Sequence, residues 1–297
     1  MNQKTIYALG FFDGVHMGHQ ALLRKCRQLA AEQGCKAAAV TFSSHPDTLV
    51  LGKTPGLINT IEDRVRLLHS TGIDDVVVLP FDKKMQTMPW QDFLDFLREE
   101  YHAAGFVCGY DFRFGHMGAG DQEKLQAYCQ EHNLCCAFEA KVRLGEFRVS
   151  STYIRTLLEK GAIISANVFL AHKHILTGKV VSGRKLGRTL GIPTANLHLP
   201  EELVKLPFGV YCCKAEVDGK TWLAVTNIGN RPTVGGHRVT VEPWLLDFEG
   251  DLYGKELTLS FYHFLRPEQK FPSLDALKEE ILKNAAETRK FFEKNAK

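Results

Sequence analysis

Apolar and polar positions change their rhythm once along this chain. In the first half, short apolar runs alternate with helical patterns. Ile6–Leu9, Ala37–Phe42, Val76–Phe81 and Phe106–Tyr110 read as buried strands. Between them, Gln20–Gln33 places Leu22, Cys26, Leu29 and Ala30 on one helical face, with Gly34 where a glycine ends a helix. Thr60, with Asp63 three residues later, opens a helix over Ile61–Ser70. Trp90–Tyr101 follows Pro89, and Asp121–His132 follows Gly120. Strands separated by helices predict βαβ units and a mostly parallel sheet, whose ligands bind beyond the C-terminal strand ends.

Helical stretches at Ser151–Glu159 and Ser165–Leu170 lead to a join around Ala171–Thr177, where the pattern changes. Gly209–Val217 and Thr221–Asn227 flank Asp218-Gly219, a pair suited to a type I′ hairpin turn. His237–Phe248 and Leu257–Leu265 add strand-like runs around Gly250-Asp251. An antiparallel barrel or sandwich would bury their edges. Ser273 then caps a last helix on which Leu274, Leu277, Ile281 and Ala285 share a face, while Lys278, Glu279, Glu280 and Lys283 form a solvated side. Trp222 and Phe261 are expected in the core. Two domains follow, residues 1–171 and 172–297.

Composition narrows the class. Apolar residues make up 44% of the 297 positions and charged residues 24%, the balance of a globular protein rather than a disordered, collagenous or coiled-coil one. The net charge of +3 is too small for a sequence-independent nucleic-acid binder. No apolar run approaches the ~20 residues of a membrane helix. The eight cysteines contain no C-x-x-C, so neither a disulfide framework nor a zinc site is indicated. A cytoplasmic enzyme with reduced thiols, no nucleic-acid partner and no membrane partner is the expectation; a homo-oligomer is left open.

The strongest local signal is Gly10-Phe11-Phe12-Asp13-Gly14-Val15-His16-Met17-Gly18-His19, between a buried strand and a helix. Histidines three apart on a first helical turn are neighbours, and free N–H groups there favour phosphate. His16 and His19 can donate to a transferring phosphoryl oxygen, and Gly18 leaves room for a phosphate to approach. Two solvent-facing histidines at a helix start are the plainer alternative. Further on, Gly183-Arg184-Lys185-Leu186-Gly187-Arg188-Thr189-Leu190-Gly191 interleaves glycine, basic and hydroxyl residues as a phosphate-wrapping loop does. Arg184-Lys185 stands where a P-loop needs Lys-Ser/Thr, so that reading fails.

The H-x-G-H segment resembles the nucleotidyltransferase superfamily. With Thr41–Pro46, Gly109–Gly115 and Val149–Arg155, the first half is similar to the FAD synthetase module of the bacterial bifunctional riboflavin kinase/FMN adenylyltransferases. In the second half, Pro193-Thr194-Ala195-Asn196, Asn227–Thr233, Val241-Glu242 and Leu265–Phe271 resemble the riboflavin kinase module. The resemblance implies an α/β Rossmann-like nucleotidyltransferase domain followed by an antiparallel β-barrel riboflavin kinase domain with a C-terminal helix. It implies phosphorylation of riboflavin by ATP to FMN, then adenylyl transfer from ATP to FMN, giving FAD and pyrophosphate. His16, His19 and Glu242 are expected to be catalytic. Gly10, Asp13, Gly18, Ser151, Thr152, Arg155, Gly183, Arg188 and Gly191 are expected at nucleotide, and Asp111, Arg266 and Glu268 at flavin. Thr194 and Asn196 would bind Mg²⁺, a hard cation suited to their oxygens. A surface ion pair is the alternative for Arg266 and Glu268, a helix N-cap for Ser151, and a loop-shaping role for His45.

Phe11 stands where the family usually has Asn, and Gly118 where many relatives carry Arg. The alternative reading is therefore a riboflavin kinase with weak or lost adenylyltransferase activity. A flavin-sensing binding protein is a further rival, against which the full set of catalytic groups argues.

Overall fold

The computed structural model describes residues 4–50, 52, 55–182, 191–198, 200–233 and 236–295, the side chains of residues 231–233 and 236–238 excepted. The chain divides into two compact units, Met1–Tyr153 and Ile154–Lys297.

In the first unit, β1 (Thr5–Leu9), β2 (Lys36–Phe42), β3 (Asp75–Leu79), β4 (Ala103–Gly109) and β5 (Cys135–Glu139) form one sheet in the order β3-β2-β1-β4-β5. Every pairing in it is parallel. Successive residues of β1 face opposite ways, and both faces are covered. Ile6 and Ala8 pack with Leu23 and Cys26 of α1 (Met17–Glu32). Tyr7 and Leu9 pack with Phe93 and Leu97 of α5 (Trp90–Glu100) and Leu125 of α6 (Gln122–Glu131). That two-sided burial is why these strands read as unbroken apolar runs. Strand order reverses between β1 and β4, which opens a crevice at their C-terminal ends.

The helix α3 (Ile61–Ser70) spans the expected residues, with Thr60 Oγ1 accepting from Asp63 N at 3.1 Å. Helices α2 (Pro46–Val50) and α4 (Lys83–Thr87) are single short turns. β5 has no counterpart among the expected strands. Neither does the two-residue hairpin of β6 (Arg143–Leu144) and β7 (Phe147–Arg148), which turns at Gly145 with φ 59°. α7 (Ser151–Glu159) carries the division between the units.

The second unit continues through α8 (Ile163–Leu170) into β8 (His174–Lys179), β9 (Leu197–His198), β10 (Gly209–Val217), β11 (Lys220–Thr233), β12 (Gly236–Leu245) and β13 (Glu256–Pro267). These strands run in the order β8-β13-β10-β11-β12-β9, all antiparallel, and a bridge between Val180 and Leu197 joins the two ends. The sheet is thus a barrel, not a sandwich. Asp218 and Gly219 both take positive φ, 50° and 71°, as a type I′ turn demands. Asn167 of α8 donates from Nδ2 to Phe261 O (2.8 Å) and accepts at Oδ1 from His174 N (2.7 Å), tying the helix to β13 and β8. The expected boundary at 171/172 falls between α8 and β8.

The last helix, α9 (Leu274–Lys294), is capped by Ser273 as expected, but its buried face differs. Leu274 is 61% exposed, while Asn284, Ala285 and Thr288 are buried. Glu280, expected on the solvated side, lies 3.2 Å from Arg266 Nε, and Asn284 Oδ1 accepts from the same nitrogen at 3.1 Å. β13 presents a cation to the helix, and a half-buried cation needs polar partners, which sets the helix rotation. Phe261 is in the core, whereas Trp222 is half-buried and meets Phe248 edge-on at 5.2 Å.

Candidate active sites

The loop from Gly10 to Val15 leaves β1 in an unusual conformation. Phe12, Gly14 and Val15 all have positive φ (59°, 81° and 38°). For non-glycine residues this costs ~1–3 kcal/mol each and persists only where neighbours impose it. Asp13 Oδ1 accepts from Ile58 N at 2.9 Å, and Ser151 Oγ donates to Asp13 O at 2.8 Å. Asp13 is 3% exposed and braces the loop from beneath. The helix-cap alternative for Ser151 is corrected, because Tyr153 N donates to the hydroxyl of Ser150.

α1 begins at Met17, three residues earlier than its apolar periodicity predicts, because His16 itself is the N-cap. Its Nδ1 accepts from His19 N at 3.3 Å, and the two rings stack with centroids 3.6 Å apart and 13° between planes. Acceptance at Nδ1 assigns the His16 ring proton to Nε2. Burial, then the neighbouring His16 and Arg64, hold His19 well below the usual histidine range, so it is neutral at pH 7. A Cβ at Gly18 would meet His16 Cε1 at 3.2 Å, so this glycine makes room for the imidazole, a closer constraint than the expected phosphate. Gly10 is similarly filled by the Phe12 ring, at 3.0 Å from such a Cβ.

His16, Gly18, His19, Asp111 and Ser151 line one cleft of about 360 Å³ at the crevice between β1 and β4. Its far wall is cationic, a feature the sequence reading missed. Arg148 of β7 and Lys141 bind Asp111 Oδ2 at 2.5 and 3.3 Å. Burial pushes the Asp111 carboxyl up, but these two cations outweigh it and hold it below the carboxylate range. Thr152 is exposed and Arg155 half-buried, one turn further along α7.

Beside this cleft lies a cavity of about 510 Å³, lined by Phe42, Phe81, Phe93, Phe112 and Phe114 among others. Phe11, Phe112 and Arg113 line both spaces. Gly115 borders the cavity at φ 72°, where a Cβ would come within 2.5 Å of Trp90 Cα. Volume and aromatic lining suit a planar, largely apolar ligand. Its signal in the sequence was the Phe112/Phe114 alternation in Gly109–Gly115.

In the barrel, direct cross-strand pairing sets Arg266, Val210, Asn227 and Glu242 in one row over β13, β10, β11 and β12. Opposed residues share a face, and three strand spacings put the ends of the row about 14 Å apart. Thr240 Oγ1 donates to Glu242 Oε1 at 3.1 Å. Glu268 reaches over the same strands, since a Cβ on Gly229 would meet its Oε1 at 2.7 Å. Arg266 pairs with Glu280 of α9 rather than with Glu268. Trp244, two residues past Glu242, packs against Val210, Val225 and Ala285.

The Thr194–Asn196 segment is stitched to β12 beside Glu242, with Ala195 N donating to Pro243 O at 2.9 Å. Asn196 Oδ1 is buried and has no partner among the described residues. The Thr194 hydroxyl and this unpartnered amide oxygen fit a hard cation. Thr194 also borders a small cleft with Phe248 and Tyr253. Gly191 is exposed at φ 72°; Gly183 and Arg188 lie outside the described residues.

Comparison with known proteins agrees with both halves. A family model described as FAD synthetase matches residues 1–153, and one described as riboflavin kinase matches residues 170–292. Bifunctional riboflavin kinase/FMN adenylyltransferases are 35% identical in Bacillus subtilis, 33% in Escherichia coli and 32% in Listeria monocytogenes. Each alignment covers 97% of this chain and 92–93% of the relative. A solved structure described as a macrolide-efflux protein from Streptococcus pneumoniae superimposes with a TM-score of 0.87 at 27% identity, over 97% of this chain and 95% of that one. Among the described residues no helix is long and apolar enough to cross a membrane.

Proposed function

The chain belongs to the bifunctional riboflavin kinase/FMN adenylyltransferase family, and from that premise we propose how its residues divide the two reactions. It is an enzyme that phosphorylates riboflavin with ATP to give FMN, and transfers AMP from a second ATP to FMN to give FAD and pyrophosphate.

For adenylyl transfer, we propose that ATP occupies the histidine cleft and the isoalloxazine ring of FMN the aromatic cavity. An FMN phosphate oxygen attacks the α-phosphorus, and pyrophosphate leaves toward Lys141 and Arg148. His16 Nε2–H and His19 donate to the transferring phosphoryl group, which needs positioning more than covalent help. Thr152 and Arg155 keep the phosphate-binding roles that the resemblance gives them. The carrying observation is the stacked histidine pair, with His19 held neutral, opening beside an aromatic cavity of flavin size.

For the kinase step, Glu242 accepts the proton of the riboflavin 5′-hydroxyl as it attacks the γ-phosphorus of ATP. Arg266 and Glu268 hold the flavin further along the row, and Gly183, Arg188 and Gly191 hold phosphates. Thr194 and Asn196 would hold Mg²⁺, which when bound neutralises charge on the ATP phosphates. The kinase function is assigned to residues 172–297 and the transferase to 1–171. The enzyme acts in the cytoplasm, without nucleic acid or membrane.

Chromatography of products from riboflavin, ATP and Mg²⁺ tests this reading. FMN should rise first and FAD follow; FMN without FAD would support the kinase-only alternative.

A further inference from the structure

Arg64, on α3, is the largest fully buried side chain in the described protein, 1% exposed. Its Nη1 donates to Phe11 O (2.8 Å) and Nη2 to Phe42 O (2.9 Å), at the ends of the first two strands. Thr41 Oγ1 shares the Phe11 carbonyl at 2.8 Å. The guanidinium carbon also sits 4.0 Å over the Phe11 ring. Its hydrogen-bond partners here are neutral carbonyls, with the Asp13 and Glu62 carboxylates acting on it through space. Burial pushes its pKa down to about 10, which leaves it charged at neutral pH. A buried cation without a directly bonded carboxylate is costly, and a leucine would fill such a place at lower cost. What the cation does here is hold Phe11.

Phe11 is fixed on one face by Arg64 and meets the His45 ring edge-on at 4.6 Å. It lines both the histidine cleft and the aromatic cavity. We infer that Arg64 is a positioning residue for adenylyl transfer: by clamping Phe11 it sets the wall between the two spaces, and so where the acceptor phosphate meets ATP. This rests on the reading that FMN occupies the aromatic cavity. Phe11 then compensates for the polar residue usual at its position, because it pairs with the buried cation. A misplacement of about 1 Å at such a junction can cost ~10²-fold in rate.

The test measures FMN-to-FAD conversion at saturating ATP for full-length Arg64→Met, Arg64→Lys, Phe11→Leu and the Arg64→Met/Phe11→Leu double variant. Riboflavin phosphorylation by the same preparations is the reference. Arg64→Met should lose ~10²-fold in kcat/KM for FMN, with the kinase rate unchanged, and Arg64→Lys should fall between it and the parent. Because Arg64 acts through Phe11, the double variant should be little worse than either single one. Unchanged FMN kinetics in a folded Arg64→Met, or losses that multiply in the double variant, would overturn the inference. Should Arg64→Met not fold, a parental KM for FMN in Arg64→Lys overturns it equally. Phe81→Leu, in the cavity and not among the groups that Arg64 bonds, separates the two ideas. No change in its KM for FMN sinks the cavity reading, whereas a rise there with both Arg64 variants normal sinks only this inference.

Discussion

The imidazole of His16 caps the helix on which His19 sits, accepting at Nδ1 from the His19 backbone N–H while the two rings stack. In the proposed mechanism, structure and chemistry are therefore joined in one side chain. Replacing His16 removes a helix cap, worth typically ~1 kcal/mol, together with the donor to the reacting phosphate that we propose.

Substitution can separate these roles. His16→Asn keeps a capping side chain but not the Nε2–H, so it should retain stability and still lose ~10²–10³-fold in FAD formation. His16→Ala should lose both, with FMN accumulating in each case. Thermal melts and product chromatography on the same samples check this. An active His16→Asn would remove His16 from the chemistry.

Glu242→Gln preserves the size of the side chain and removes the proposed proton acceptor. FMN formation should fall ~10²–10⁴-fold, while conversion of supplied FMN to FAD persists. Loss of both activities in a folded variant would contradict two separate sites.

Asn196→Ala removes the buried, unpartnered oxygen beside Glu242. The Mg²⁺ concentration giving half-maximal FMN formation should rise at least ~10-fold, with the Mg²⁺ dependence of FAD formation unmoved. Titration of each reaction with the metal decides it.

His174 is buried, and burial, then the nearby His172, push its pKa down to about 3. Unfolded, it titrates near ~6.5, so below that pH the unfolded chain binds the extra proton. Stability from this group is complete above about 6.5 and drains away as pH falls toward 3. His174→Phe should flatten the acid side of the melting-temperature profile, and an unchanged slope would exclude His174 as the cause.

A fragment beginning at residue 172 lacks α8 and, with it, the Asn167 bonds to Phe261 and His174. Each orphaned backbone group costs ~1–3 kcal/mol. A fragment over residues 154–297 should fold and make FMN, and should melt higher than one over residues 172–297. Equal melting temperatures would mean that α8 does not support the barrel.

Legibility in the sequence followed the range of the interactions. β10, its Asp218-Gly219 turn and α3 could be read because local alternation, turn chemistry and a cap all lie within a few residues. The His16/His19 pair was legible for the same reason. The rotation of α9 was not, because Arg266 on another element sets it. The bracing bond of Asp13 was not legible either, because its partner Ile58 lies 45 residues away. Arg64 reads as one cation on an amphipathic helix; only the meeting of two strand ends makes it a buried clamp.

The Ser151–Asp13 hydrogen bond joins residues 138 positions apart, and Asn284 reaches back to Arg266 from the last helix. Each unit is thus closed by an element near its own C-terminal end. During synthesis, the histidine loop must wait for nearly the whole first unit to emerge before its brace arrives, and the barrel must wait for α9. A nascent chain therefore gains its transferase clasp while the kinase half is still unmade, and a chain interrupted late in synthesis keeps the clasp but lacks the partner of Arg266.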